Sequence, residues 1–303
     1  MSKKLTEFDK RMQNYKYTSD QSLMRRTPVI IQIDGMHFHT FTKGLDKPFD
    51  EILVQSMRDT TKYLCENIQG CVLAYTQSDK INLLLIDYQE LDSQAWFDNR
   101  IQKLTSAAAS LATMAFNKFF KKNVENLEQH YAIEYETNGW YGKGTPEYEM
   151  CETYSKAVGK GATFAACAFN LPQDEVTNFF YWRQQDAIRN SIQMVGQANF
   201  SHTELQHKSC EDIKQMLRDK SEATGGTIKP WEDYPLSLQR GTCCIKKFCD
   251  HEGYEPVKDN GKKIGDIRCE TYRSYWDVDK NVPIFKGDGR NYINKLVYLD
   301  EEE

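Results

Sequence analysis

The first 170 residues carry a legible alternation of apolar and polar positions. Pro28-Val29-Ile30-Ile31-Gln32-Ile33-Asp34 is a β-branched run bounded by Pro28 and Gly35, which predicts a buried strand ending at Asp34. From Phe49 to Asn67 the apolar residues Ile52, Leu53, Met57, Leu64, Cys65 and Ile68 recur at helical spacing until Gly70 stops the pattern. Cys71–Tyr75 and Ile81–Ile86 flank the polar turn Thr76-Gln77-Ser78-Asp79-Lys80 and predict a strand hairpin with Asp79 at or just past its tip. A second long helix is predicted from Trp96 to about Phe120, with Leu104, Ala108, Leu111, Ala112, Ala115, Phe116 and Phe119 on one stripe. Phe164 to Asn170 reads as a short strand that ends before Pro172.

Strand–helix–strand–strand–helix–strand is the order of a split βαβ (ferredoxin-like) unit, an α+β fold with an antiparallel sheet and packed helices. Its right-handed crossover leaves strands one and two parallel with strand three between them. The carboxyl end of strand one then lies at the same sheet edge as the hairpin turn, so Asp34 and Asp79, 45 residues apart, become neighbours. Beyond residue 170 the pattern turns helical, from Asp174 to about Gly196 and from Ser209 to Arg218, with Ser209 as the cap of the second helix. From Ser221 onward Gly, Pro and charged residues interrupt short apolar runs such as Thr242-Cys243-Cys244-Ile245, which predicts loops and small strands. Two regions are expected: residues 1–140 with the acidic pair, and a helical and mixed C-terminal region, 141–303, completing the sheet.

A chain of 303 residues can bury a substantial core as one large domain or two smaller ones. Its formal charge of −5 excludes nucleic-acid binding through bulk positive charge, so an RNA partner must meet a local basic patch. Nine irregularly spaced cysteines, a start (Met1-Ser2-Lys3-Lys4) unlike a signal peptide, and no apolar stretch of membrane-spanning length point to the reducing cytoplasm and away from membranes. Cys243, Cys244, Cys249 and His251 do not match the paired spacing of zinc sites and read as ordinary residues.

The candidate chemistry centres on Asp34 and Asp79. Aspartates at strand ends and turns commonly serve as caps, but a converging pair makes a hard-metal site of the kind phosphoryl transfer uses. Gly35 permits close backbone approach, and its carbonyl is a candidate third oxygen for Mg²⁺. Lys43, Lys47, Arg100 and Lys103 are expected to flank the acids as cations for a triphosphate, although any one of them taken alone reads more readily as a solvated charge. Ser78 is a candidate phosphate contact, the alternative being a bond to its own backbone. His37 and His39, in Met36-His37-Phe38-His39, would share one side of an extended segment, where polar contacts to substrate or backbone are favoured over zinc. The helix segment Tyr181-Trp182-Arg183-Gln184-Gln185-Asp186-Ala187-Ile188-Arg189-Asn190 mixes aromatic, guanidinium and amide groups suited to ribose, phosphate or an RNA end, or to an ordinary helix with Trp182 in a core.

Ile33-Asp34-Gly35, then Phe38-His39 and Phe41, Lys47-Pro48, Gln77-Ser78-Asp79, and Trp182-Arg183-Gln184 with Asp186, in this order, resemble the tRNA-His guanylyltransferase family over about residues 8 to 290. The resemblance implies a palm-like catalytic domain, similar to that of template-dependent polymerases, in residues 1–140, with RNA contacts contributed by residues 141–303. It also implies 3′-to-5′ addition of nucleotides to the 5′ end of tRNA. ATP or GTP would activate the 5′-monophosphate, and the 3′-hydroxyl of GTP or another NTP would then attack. Two Mg²⁺ ions would be held by Asp34, Asp79 and the Gly35 carbonyl. Asp34, Asp79 and Lys47 would be catalytic; Gly35, Met36, His37, Phe38, His39, Lys47, Ser78, Asp79, Arg100 and Lys103 would bind nucleotide; Arg183 and Asn190 would lie near RNA or nucleotide. Family members assemble as tetramers, so a homotetramer is implied.

Members dedicated to tRNA-His carry a motif of the form HINNLYN after the WRQ segment, where this chain reads Ile188-Arg189-Asn190-Ser191-Ile192-Gln193-Met194. Ile188 in place of the histidine is similar to the guanylyltransferase-like branch, in which templated repair of truncated tRNA 5′ ends is usual. Two other readings compete. Nucleotide cyclase-like enzymes place paired acids on a similar fold but lack the WRQ segment. A non-catalytic RNA-binding or nucleotide-sensing protein would have no need of intact Asp34, Asp79, Lys47 and Lys103.

Overall fold

The β-branched run at 29–33 lies inside a six-stranded antiparallel sheet, every residue of it but Gln32 at most 2% exposed. The computed structural model describes residues 5–138, 143–259 and 262–299, the side chains of 134–138, 251–259 and 262–272 excepted. The elements follow in the order α1 (Glu7–Tyr17), β1 (Val29–Met36), α2 (Phe38–Phe41), α3 (Glu51–Asn67), β2 (Cys71–Gln77), β3 (Lys80–Leu85), α4 (Ile101–Asn138), α5 (Pro146–Lys160), β4 (Thr163–Asn170), α6 (Gln173–Asn199), α7 (His202–Leu205), α8 (Cys210–Ala223), α9 (Leu236–Arg240), β5 (Thr242–Asp259), β6 (Lys262–Asp279) and α10 (Asn291–Tyr298). Short 3-10 turns lie at Trp96–Asn99, Trp231–Asp233 and Gly287–Arg290.

The sheet order is β4-β1-β3-β2-β5-β6. Strand β3 is antiparallel to both β1 and β2, which are therefore parallel to each other, as the split βαβ order requires. β4 closes one side against β1, and β5 pairs with β2 on the other, so the C-terminal region completes the sheet. The proposed 140/141 division lies outside the described residues.

Successive strand residues face opposite sides, and both sides are covered. Ile31 and Ile33 join a core with α3, α4 and α5, whose aromatic centre is Phe38, Phe41, Phe116, Phe120 and Phe164; ring centroids there are 5.1 Å apart for Phe41–Phe120 and 5.5 Å for Phe38–Phe116. Ile30 and Leu84 join a second core with Tyr75, Phe180, Phe285, Ile293 and Val297, built by α6, α10 and the segment before it. A third cluster, Ile192, Val195, Ile213, Leu217 and Trp231, holds α8 on α6. The capping box of α8 matches the Ser209 cap expected from sequence, with Asp212 as its reciprocal partner.

Two expectations are corrected. The second long helix starts at Ile101, because Phe97, Asp98 and Asn99 take left-handed backbone angles (φ 50°, 54° and 57°). It also continues 18 residues past Phe120 to Asn138, on good helix formers supported by the Lys121–Glu125 pair. The C-terminal strands are not small: β5 and β6 have 18 residues each and form a ribbon about 60 Å long. Charged residues scattered along both strands conceal the alternation that would have announced it.

Asp50 ties α3 to α5. Buried at 4% exposure, it accepts from Leu53 N–H at 2.8 Å as the cap of α3, from Tyr154 Oη at 2.7 Å and from Asp46 N–H at 3.1 Å. Asp50→Ala leaves the cap empty and the Tyr154 hydroxyl buried without an acceptor, a loss of about 2–4 kcal/mol, whereas Tyr154→Phe removes only the donor of one bond, leaves Asp50 its two main-chain partners and costs about 1 kcal/mol. Urea unfolding of the two variants compares these values; equal losses would contradict the capping account.

Candidate active site

The β1–β3 register pairs Asp34 with Lys80, and the Gln77–Lys80 pair leaves Ser78-Asp79 as a two-residue turn. Gly35 N–H donates to the Asp79 carbonyl at 3.0 Å, so the end of β1 is fastened to that turn. Ser78 adopts a left-handed φ of 55°, a conformation costly for a residue with a Cβ and typical of functional turns. Lys80 Nζ lies 2.5 Å from Asp34 Oδ1. Burial pushes the Asp79 carboxyl above its ordinary value; Lys80 pulls it down and the charge of Asp34 pushes it up again. Asp79 thus feels the charge of Asp34, with Lys80 as the local cation.

A cavity of about 320 Å³ opens beside Asp79. Its apolar wall comes from Phe38, Leu45, Leu53, Val54, Met57 and Leu238, and its polar groups include His39, Lys47, Ser78, Arg58 and Ser237. The volume and the mixture suit a nucleotide-sized ligand. Burial and the neighbouring Asp50 raise the carboxyl of Asp46, another lining residue. Phe38 stands close under β1: a Cβ on Gly35 would lie 2.2 Å from its ring, which Phe41, Phe116 and Phe164 hold in place. Glycine is therefore required beside Asp34 for this approach.

A second cavity, about 280 Å³, lies on the Asp34 side, on the sheet face from which α6 rises. Gln32, Asn82, Lys80, Cys167 and Arg183 line it; Gln32 donates to Asn82 at 3.1 Å, and the Cys167 thiol to Gln32 at 3.7 Å. The Arg183 side chain is 11% exposed; its guanidinium stacks on Trp182 at 5.0 Å, Nη1 reaches Asp186 at 3.3 Å, and its buried Nε has no hydrogen-bond partner. Trp182 is 58% exposed rather than in a core.

Asp34, Asp79, Gly35, Ser78, Phe38, His39 and Lys47 thus converge. Asn190 sits one helical turn before the lining residue Met194, its amide 3.8 Å from that sulfur. Met36, His37 and the exposed Lys43 line neither cavity. The expected extended segment at 36–39 is a left-handed His37 followed by one helical turn, because Phe38 and Phe41, three apart, both bury in the core. Arg100 and Lys103 do not flank the acids. Arg100 opens α4 and bonds Asp20 at 3.0 Å, while Phe116, about 24 Å further along the helix, packs on Phe38 near the acids. Lys80 and Arg58 escaped the sequence reading, although Lys80 directly follows Asp79 and Arg58 borders the buried stripe of α3.

The donor set of two carboxylates and a nearby main-chain carbonyl is all oxygen, which fits Mg²⁺ better than a soft metal; the remaining ligands of such an ion are waters and phosphate. Among the described residues no cluster of three or more Asp, Glu, His or Cys could hold a metal. Cys243 and Cys244 face separate cores, as adjacent strand residues must, and the side chain of His251 lies outside the described residues.

The family model described as tRNA-His guanylyltransferase matches residues 9–139. A bacterial tRNA(His) guanylyltransferase-like protein in complex with ATP superposes with a TM-score of 0.72 at 36% identity, over 97% of this chain and 100% of that one. Its counterpart in complex with GTP gives 0.67 at 34% identity over the same shares. The tRNA(His) guanylyltransferase of Schizosaccharomyces pombe is 33% identical over 113 residues, 37% of this chain and 39% of that protein.

Replacing the partly buried Asp79 carboxylate by an amide removes a desolvated like charge beside Asp34. Asp79→Asn is therefore expected to raise the melting temperature of the metal-free protein by about 2 °C and to lack the further rise expected of the wild type on addition of Mg²⁺. Thermal denaturation with and without Mg²⁺ measures both; an undiminished Mg²⁺ response would contradict the assignment.

Proposed function

Because the chain belongs to the tRNA-His guanylyltransferase family, we propose that it adds nucleotides in the 3′-to-5′ direction to the 5′ end of tRNA, choosing them against a template strand and repairing truncated ends. The observation that carries this reading is the pair of cavities meeting at Asp34 and Asp79. One, beside Asp79, takes the nucleoside triphosphate; the other, beside Asp34, takes the RNA 5′ end.

In the first cavity Lys47, His39 and Ser78 hold phosphates and the apolar wall seats the base. In the second, Arg183 and Lys80 face the RNA phosphate and Trp182 offers a stacking surface. ATP or GTP transfers its nucleoside monophosphate to the RNA 5′-phosphate with release of pyrophosphate, and the 3′-hydroxyl of the incoming nucleotide then attacks the activated phosphorus and expels that nucleoside monophosphate. Asp34 and Asp79, with the Gly35 carbonyl, would hold two Mg²⁺ ions, which supply charge neutralisation at the attacking and leaving oxygens. The residues of the chain orient the two phosphates and keep the site negative enough for cations. The repair reading draws on Ile188: it packs on the third apolar cluster, where members dedicated to tRNA-His carry histidine.

Assembly as a homotetramer belongs to the same reading. Beyond Ile245 the β5–β6 ribbon has no further strand pairing among the described residues, and Phe248 and Tyr275 at its base are 52% and 46% exposed. A two-stranded ribbon with no third strand is marginal in water, so a second copy is its natural support. Residence in the cytoplasm is part of the proposal too, in keeping with free described cysteines.

Incubation with 5′-truncated tRNAs of several identities and with full-length tRNA-His tests the reading. Templated addition to the truncated set is expected; addition confined to tRNA-His would overturn the repair role. Asp34→Ala and Asp79→Ala should reduce incorporation below detection, and near-normal activity in either would sink the two-acid assignment. Arg183→Ala should raise the KM for RNA about tenfold, the scale of one charge-assisted hydrogen bond, with GTP affinity unchanged.

A further inference from the structure

Arg58 lies on α3 beside Met57 and walls the nucleotide cavity. Its Nη2 donates to Ser237 Oγ at 2.9 Å, while its Nε is buried with no hydrogen-bond partner. Among the described residues it forms no ion pair. Asp59, its neighbour on the helix, is engaged by Gln55 and Asn123. Burial lowers the guanidinium from its ordinary value, with Glu51 and Asp59 opposing through their charges, yet an arginine stays cationic at such positions. The guanidinium is half-buried on the cavity wall, and one bond to Ser237 leaves its five N–H groups under-used, which points to an acceptor brought by the ligand to its Nη edge.

The position of the group says which part of the ligand that is. Lys47 and His39 come from the β1–α3 connection, and Ser78 and Asp79 from the β2–β3 turn; these suit the phosphates. Arg58 instead bonds a serine of α9, and its companions on the wall are Val54, Met57 and Leu238. That setting is apolar and suits a base. A guanidinium only donates, so it matches an edge with two adjacent acceptors. Guanine presents O6 and N7 side by side, whereas adenine sets an amino donor beside N7.

We propose that Arg58 is a specificity-determining residue that favours guanine over adenine in this pocket by donating to O6 and N7, with the Ser237 hydroxyl holding the fork in plane. The proposal rests on the nucleotide-transfer reading and names the base that its first cavity prefers.

Isothermal titration of the full-length protein with GTP and with ATP, in the presence of Mg²⁺, tests it. The wild type is expected to bind GTP about tenfold more tightly, within the range of one bidentate base contact. Arg58→Lys keeps the buried cation but loses the planar fork, so the preference should fall to about onefold; a purely structural charge would leave the ratio unchanged. Arg58→Gln offers one donor and one acceptor, and should turn the preference toward ATP. Melting curves check that each variant is folded, and the lysine variant decides the matter if the glutamine variant is not. Equal wild-type affinities alongside normal tRNA extension would overturn this inference alone, as would a preserved ratio in Arg58→Lys. Failure of the wild type to bind either nucleotide would overturn the transfer reading and this inference with it.

Discussion

The hydrogen bond from Gly35 N–H to the Asp79 carbonyl, 3.0 Å long, is the constraint on which the candidate site depends. It holds the last turn-facing residues of β1 against the β2–β3 turn, and the Asp34–Lys80 register does the same one residue earlier. Neither acid could be placed by its own local segment. Both depend on β1 and β2 running parallel with β3 between them, which the crossover through α3 enforces. The Phe38 ring beneath Gly35 ties this edge to the aromatic core, so the packing of α4 reaches the acids through one close contact.

The polar chemistry is deliberately unbalanced around that edge. Asp79, raised by burial and further by the charge of Asp34, is partly offset by Lys80, and two arginines, Arg58 and Arg183, each line a cavity with a buried Nε that lacks a partner. Folding alone gains nothing from these arrangements. They become favourable when phosphates, a base and cations arrive, which is the general relation between local destabilisation and function. A chain of net charge −5 can thus meet a polyanion through groups set at one sheet edge rather than through its overall field.

Much of this was readable in the chain itself where one periodicity governed a segment. The run Val29–Ile33, the stripe of α3 and the hairpin around Ser78-Asp79 each follow one pattern, and the topology that joins them follows from their order. Reading failed where tertiary direction decided. Arg100 and Lys103 stand at the start of a helix whose far turns, not its first, approach the acids. His37 and His39 looked extended because alternation was read through Phe38 and Phe41, whose burial demands a helical turn. The long ribbon was missed because its strands carry charges where a half-buried strand would alternate. Nothing local marks Arg58 as a cavity residue, because α9 is brought against it only by the tertiary fold.

The central claim is that Asp34 and Asp79 act as one cation site between the two cavities. Anomalous diffraction from crystals of the protein soaked with Mn²⁺ and GTP tests it most directly. The account predicts an anomalous peak shared by the Asp34 and Asp79 carboxylates, with the triphosphate on the Lys47 and Ser78 side. A peak held by only one of the two acids, or GTP seated beside Arg100 and Lys103 with no metal at this edge, would contradict it.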